Sequence, residues 1–151
     1  MKVVIDNNVV VDALKPRPPF DAEAKAVFRL FGEEKFEPYV TANSLTDIFY
    51  VLQKAGNASK AKAVVANLVS VVNVIPLTER DCTDALDLPM NDFEDAVVAV
   101  CAKKAGADCI VSRDEKFIKA NTGVKVIKPV DLIAKFKAEV VPIVMSPPST
   151  K

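Results

Sequence analysis

Histidine and tryptophan are missing from the 151 residues, glycine is confined to four positions and cysteine to three. Each shortage removes a class of chemistry. Without His, neither a Ser-His-Asp nor a Cys-His nucleophilic arrangement can be assembled within the chain, and imidazole cannot serve as general base. Gly32, Gly56, Gly106 and Gly123 stand far apart and spell neither GxGxxG nor a P-loop, so nucleotide cradles are unsupported. Cys82, Cys101 and Cys109 include no CxxC pair and read as buried thiols in a reducing compartment. No segment approaches the roughly 20 apolar residues of a membrane span. The opening Met1-Lys2-Val3-Val4-Ile5-Asp6 is too short an apolar run for a signal peptide. A cytoplasmic location is therefore expected. Twenty basic residues balance twenty acidic ones, which argues against a general nucleic-acid coat but permits a local groove. Any catalysis must come from carboxylates, lysines, hydroxyls or metal ions.

Half of the residues are hydrophobic, enough for one well-buried core in a chain of this length. Short β-branched runs alternate with helical patterns. Strands are expected at Val3–Ile5, Val71–Ile75, Cys109–Val111 and Val124–Ile127. Helices are expected from Asn8 to Leu14, from an Asp21 cap through Phe31, and over Ser44 to Lys54, the last entered through Pro38-Tyr39-Val40. Further helices follow from Asn57 or Ser59 to Val69, from Thr78 toward Leu86, from Asp92 through Ala105, and from Pro129 toward Lys137. This alternation predicts an α/β fold with a mainly parallel sheet. Residues 1–138 are expected to form the domain, and 139–151 a C-terminal tail that is partly disordered.

Open α/β sheets bind ligands beyond the carboxyl ends of their strands. Asp6 follows the first strand there, and Ser112, Arg113 and Asp114 follow Cys109–Val111. Asp6 and Asp114 could equally be plain helix caps. In Asn91-Asp92-Phe93-Glu94-Asp95, a helix would align Phe93, Ala96, Val97, Val100 and Cys101 as an apolar stripe, with Asp92 and Asp95 together beside it. Glu94 projects away from both and reads as solvated. Asp47 sits in Leu45-Thr46-Asp47-Ile48-Phe49-Tyr50, apolar nearly all round, with no cation one turn away, so it calls for a cation, a donor or water. From Glu79 to Asp95 there are seven acids and one base; Asp81, Asp84 and Asp87 among them read as the wet face of a helix. Carboxylates brought together repel unless protonated or bridged. Oxygen ligands without His or Cys favour Mg²⁺ or Mn²⁺, which activates water and stabilises in-line displacement at phosphorus.

Four segments in series resemble the PIN-domain family, including its VapC-type toxins: Val4-Ile5-Asp6-Asn7-Asn8-Val9-Val10, Thr46-Asp47-Ile48-Phe49-Tyr50, Asp92-Phe93-Glu94-Asp95-Ala96, and Ile110-Val111-Ser112-Arg113-Asp114. Asn7 stands where the family has Thr, and Asp47 where many members carry Glu. The likeness covers roughly Lys2 to Lys137. It implies a three-layer α/β/α sandwich and a metal-dependent ribonuclease in which Asp6, Asp95 and Asp114 hold the metal. Asp47 would be a further catalytic acid, Asp92 an auxiliary ligand, and Asn8 and Ser112 would orient the carboxylates. Arg113 and Lys116 are expected to contact RNA phosphates, with Lys119, Lys15 and Arg17 nearby. An antitoxin protein and a second copy of the chain are the implied partners. Two rivals stay open: a PIN-fold binding module with little or no cleavage, for which the short Asp47 speaks, and a receiver-like phosphoacceptor domain.

Overall fold

A computed structural model describes residues 1–15 and 18–145, with side chains through Lys137. Arg17 and residues 146–151 lie outside the described residues. The β-branched runs form five strands, β1 (Lys2–Ile5), β2 (Glu37–Thr41), β3 (Asn73–Ile75), β4 (Cys109–Val111) and β5 (Val126–Ile127), all paired in parallel in the order β3-β2-β1-β4-β5. Side chains alternate across this sheet. Val3, Ile5, Val40, Cys109 and Val111 feed one apolar layer, and Val4, Ile75, Ile110 and Val126 the other. Parallel strands covered on both faces must be apolar on both, which is why β4 and all but the first residue of β1 are continuous hydrophobic runs.

The expectation missed β2. Pro38 lacks an N–H and argues against a strand with neighbours on both sides. Here it is the second residue of β2, opposite Val3, and its carbonyl accepts a bond from the Asn73 side-chain amide at 3.2 Å. Pairing to β1 and β3 and the complete burial of Val40 outweigh the lost donor. β3 and β5 each begin two residues later than expected.

Helices α1 (Asn7–Leu14), α2 (Phe20–Gly32), α3 (Ala42–Ala55), α4 (Ala58–Val71) and α8 (Pro129–Met145) cover the first layer. Helices α5 (Glu79–Leu86), α6 (Phe93–Lys104) and α7 (Glu115–Lys119) cover the second. Several details differ from expectation. α2 starts at Phe20 with Pro19 at its cap, and Asp21 lies inside the first turn. α8 continues to Met145, past the Lys137 toward which it was expected to run. α3 buries Ser44 and Ile48 but exposes Tyr50, so it is an amphipathic helix rather than one enclosed all round. α6 does the opposite: Val98, Ala99 and Ala102 are buried with the expected stripe, while Phe93 is 47% exposed. Among the described residues no helix is long and apolar enough to cross a membrane.

The sheet order fixes where a ligand can go. The chain builds outward from β1 through β2 to β3, then returns to the other side of β1 for β4 and β5. Neighbouring strands whose connections leave in opposite directions open a crevice at their carboxyl ends. That crevice lies between β1 and β4, directly above Ile5 and Val111. In the flavodoxin-like class, where receiver domains fall, strand one sits between strands two and three; here it sits between β2 and β4, which removes the receiver-like rival.

Two ion pairs lock helices around this frame. Asp81 is buried, not on a wet face: it accepts the Thr78 N–H at 2.9 Å in a capping box and the Lys104 ammonium at 2.6 Å, tying α5 to α6. Lys104 holds the Asp81 carboxyl below the usual range. Asp12, only 1% exposed on α1, pairs with the Arg113 guanidinium in the loop after β4. Removing one partner of a buried pair strands a charge, whereas replacing both with apolar groups costs little. Arg113→Met is therefore expected to lower stability by about 3 kcal/mol in urea unfolding, and the Asp12→Leu, Arg113→Met double variant to recover most of it. Equal losses in the two would contradict this account.

Candidate active site

The strand ends deliver the first groups to the crevice. The Asp6 N–H is held by the Val111 carbonyl at 2.9 Å, so the last residue of β4 fixes the first residue beyond β1. Asp6 is then the N-cap of α1, its Oδ1 accepting the Asn7 N–H at 2.9 Å. Its Oδ2 accepts the Ser112 hydroxyl at 2.8 Å and the Asn8 side-chain amide at 3.3 Å. Ser112, fully buried, in turn accepts the Asp114 N–H at 3.1 Å. Asp114 is the N-cap of α7 and Asp92 the N-cap of α6. Asp92 Oδ1 accepts the Asp95 N–H at 3.1 Å, which sets Asp95 in the first turn of α6. Three helix N-termini thus converge on the crevice, each favouring negative charge.

The electrostatics follow from burial. Asp6 is 4% exposed and Asp95 8% exposed. Burial pushes the Asp6 carboxyl up to about 6; the bonds from Ser112 and Asn7 act against this, and the charges of Glu94 and Asp114 add to it. Asp95 is pushed up to about 7, first by burial and then by the negative charges of Asp6, Asp92, Asp114 and Glu94. Among the described residues no hydrogen-bond donor reaches the Asp95 carboxylate. Buried carboxylates crowded in this way need a proton or a cation between them.

The structure brings Asp6, Asp92 and Asp114 within range of Asp95's charge, with Asn8 and Ser112 binding Asp6. Asp47 stands one step away. It accepts from the Asn7 side-chain amide at 3.3 Å, and its charge acts on Glu94. Glu94 is exposed, as expected, yet it is not apart from the site: Asn7 Nδ2 donates to it at 3.0 Å, and burial and Asp47 raise its carboxyl. Sequence periodicity set Glu94 apart from Asp92 and Asp95, yet its charge acts on Asp95 and that of Asp92 acts on it; that Asn7 would reach it from another helix had no local signal. Arg113 has its guanidinium on Asp12 and stacked over the Phe20 ring at 4.2 Å from the centroid, so its charge is already met. Lys116 and Lys119 are exposed on α7 beside Asp114.

Among the described residues no three acidic or thiol side chains are grouped tightly enough to enclose a metal ion by themselves. The donor set nonetheless fits a hard cation that takes a few carboxylates and completes its shell with waters and substrate oxygens. Asp95, buried, acidic and without a donor, is the group that such an ion would satisfy.

Residues 2–116 match the family model described as PIN domain. Ribonuclease VapC1 of Aquifex aeolicus (strain VF5) is 29% identical over 121 residues, covering 77% of this chain and 83% of the relative. Among solved structures, VapBC2 of Rickettsia felis bound to a DNA fragment from its promoter aligns with a TM-score of 0.65 at 13% identity, over 85% of this chain and 98% of that one. VapC20 of Mycobacterium tuberculosis, a sarcin-ricin loop cleaving toxin, aligns with a TM-score of 0.62 at 19% identity, over 76% and 92%. The family model spans most of the chain and includes the strand ends and helix caps that build the acid crevice, and the chain belongs to the PIN domain family.

Proposed function

We propose that the chain is a ribonuclease that hydrolyses RNA phosphodiesters with a divalent cation, Mg²⁺ or Mn²⁺, and that it serves as the toxin of a toxin–antitoxin pair. The observation that carries this reading is Asp95: a buried carboxylate, pushed up to about 7, beside a second one and without a donor. The relatives support the substrate and the partner, since one is a ribonuclease and others are toxin–antitoxin complexes. An antitoxin protein and a second copy of this chain are the partners proposed. The binding-module alternative rested on the short Asp47, which stands beside Glu94 rather than Asp95 and leaves the other acids together.

Asp6, Asp95 and Asp114 would hold the cation, with Asp92 auxiliary. Once bound, it would polarise water for attack and offset charge developing on the phosphate oxygens. Ser112 and Asn8 keep Asp6 in one orientation by bonding the same oxygen. Arg113 steadies the Ser112–Asp114 loop through Asp12 and through its own N–H, 3.4 Å from Asn8 Oδ1. That role replaces the expected phosphate contact at Arg113. Lys116 is the better placed cation for a substrate phosphate.

RNA cleavage with Mn²⁺ tests the mechanism. Asp95→Asn should lower kcat/KM by more than the roughly 10–100-fold that follows loss of a group supporting a ligand, and Ser112→Ala should fall within that range. Chelating the divalent ions should abolish cleavage by the wild type. Equal rates for wild type and Asp95→Asn would refute the proposal.

The two raised carboxyls also set a pH dependence. Unfolded, each loses its proton near 3.8; folded, Asp6 and Asp95 keep theirs to about 6 and 7. Between these limits the folded state binds more protons, so stability falls as pH rises. Thermal scans of metal-free protein should give a higher Tm near pH 5 than near pH 8, and Asp95→Asn should flatten the difference while raising Tm at pH 8. A Tm that climbs steadily from pH 5 to 8 would show the assignment to be wrong.

A further inference from the structure

Residues 63–78 contain no Asp, Glu, Lys or Arg, although 26% of the chain is charged. The segment takes in most of α4, the whole of β3 and the turn beyond it, and it is not buried to match. Val69 is 44% exposed, Val71 55%, Val74 36% and Leu77 37%. Apolar exposure without charge marks the centre of a protein interface rather than ordinary surface.

The same segment ends the sheet. Among the described residues β2 is the only strand paired with β3, so the outer side of β3 presents backbone N–H and C=O groups that another strand would match. Proteins commonly blunt such an edge with a lysine, an inward charge or a proline. Here no charge is present, and Pro76 comes only after the strand has ended. The Pro76 carbonyl is already taken by the Lys104 ammonium at 2.7 Å, which leaves Asn73–Ile75 as the open stretch.

We propose that a second copy of the chain binds at this edge, its β3 running antiparallel to this one about a two-fold axis at Val74. This gives a place to the second copy named under the proposed function and rests on that part of the reading alone; it does not depend on RNA cleavage. Two features select a copy of this chain over an unrelated strand. At a two-fold axis each residue meets its own counterpart, so any charge there would face a like charge; a segment with none satisfies that condition. The exposed side chains also match: Val71 and Leu77 stand equally far on either side of Val74, so each falls opposite the other in the second copy. Val71 lines a hollow of about 360 Å³ with Met1, Phe31 and Pro38, and a leucine arriving opposite it has that space to fill. Asn73 gives its amide to the Pro38 carbonyl within its own chain and makes no demand on the partner. A ladder this short gives a dimer that forms and dissociates with concentration.

Sedimentation of the full chain across a range of concentrations tests this. Wild type should pass from monomer to dimer, and amide exchange at residues 73–75 should slow as it does so. Val74→Lys sets two ammonium groups together at the axis and should raise the dimer Kd roughly 100-fold or more, as juxtaposed like charges do. Val74→Glu should do the same with the opposite sign. Mixed in equal amounts, the two variants should dimerise again, because only at a two-fold axis does position 74 meet itself; that recovery also requires both to be folded. Val71→Lys, at the most exposed of these positions, should weaken the dimer as well and covers the case in which the Val74 variants unfold. A dimer as tight in Val71→Lys and Val74→Lys as in wild type, or folded Val74 variants that stay monomeric when mixed, would overturn pairing at this edge and put the second copy on another face. Wild type that stays monomeric up to millimolar concentration would overturn both this pairing and the second copy. None of these measurements reads RNA cleavage, so a failed ribonuclease reading would leave their outcome unchanged.

Discussion

Two carboxylates, Asp6 and Asp95, are buried within reach of each other's charge, and much of the surrounding structure answers that constraint. Burial and like charge together push Asp95 to about 7, a cost the folded chain bears. Ser112, Asn8 and the Asn7 N–H are all spent on Asp6. Three helices begin at the crevice and turn their positive ends toward it. Even the buried Asp12–Arg113 pair contributes, because it ties α1 to the loop that carries Ser112 and Asp114.

Capping does not compete with a ligand role. Asp6, Asp92 and Asp114 each accept a backbone N–H as an N-cap, and the role proposed for them is compatible with that bond. An N-cap holds a carboxylate in one orientation by a backbone bond and leaves its other oxygen lone pairs for a ligand. Asp6 shows the division most clearly, with Oδ1 on the cap and Oδ2 on Ser112.

What escaped prediction shares a physical cause. β2 was hidden because Pro38 weakens local strand preference, while its pairing is non-local. Asp81 was read as wet because nothing near it in sequence announces Lys104, which arrives from the end of α6. Phe93 fell on the periodic apolar stripe, but it is the first residue of α6, where the helix has not yet reached the core. Glu94 and Asp47 meet through Asn7, from a third segment. Asn7 and Asp47, both singled out in the sequence against the resembled motifs, are hydrogen-bonded to each other and line one cavity.

By itself the sequence determined the α/β class, most helix bounds and the acids at strand ends and helix starts, because hydrophobic period and capping chemistry are local properties of the chain. It also determined that imidazole takes no part in the site, since no histidine is present. Only the tertiary structure decided which acids share a crevice, that Arg113 is spent on Asp12, and that Asn7 turns its amide toward Asp47 and Glu94. Those outcomes depend on sheet order and on side chains from distant segments competing for one another, and desolvation and hydrogen bonding act on neighbours in space, whatever their separation along the chain.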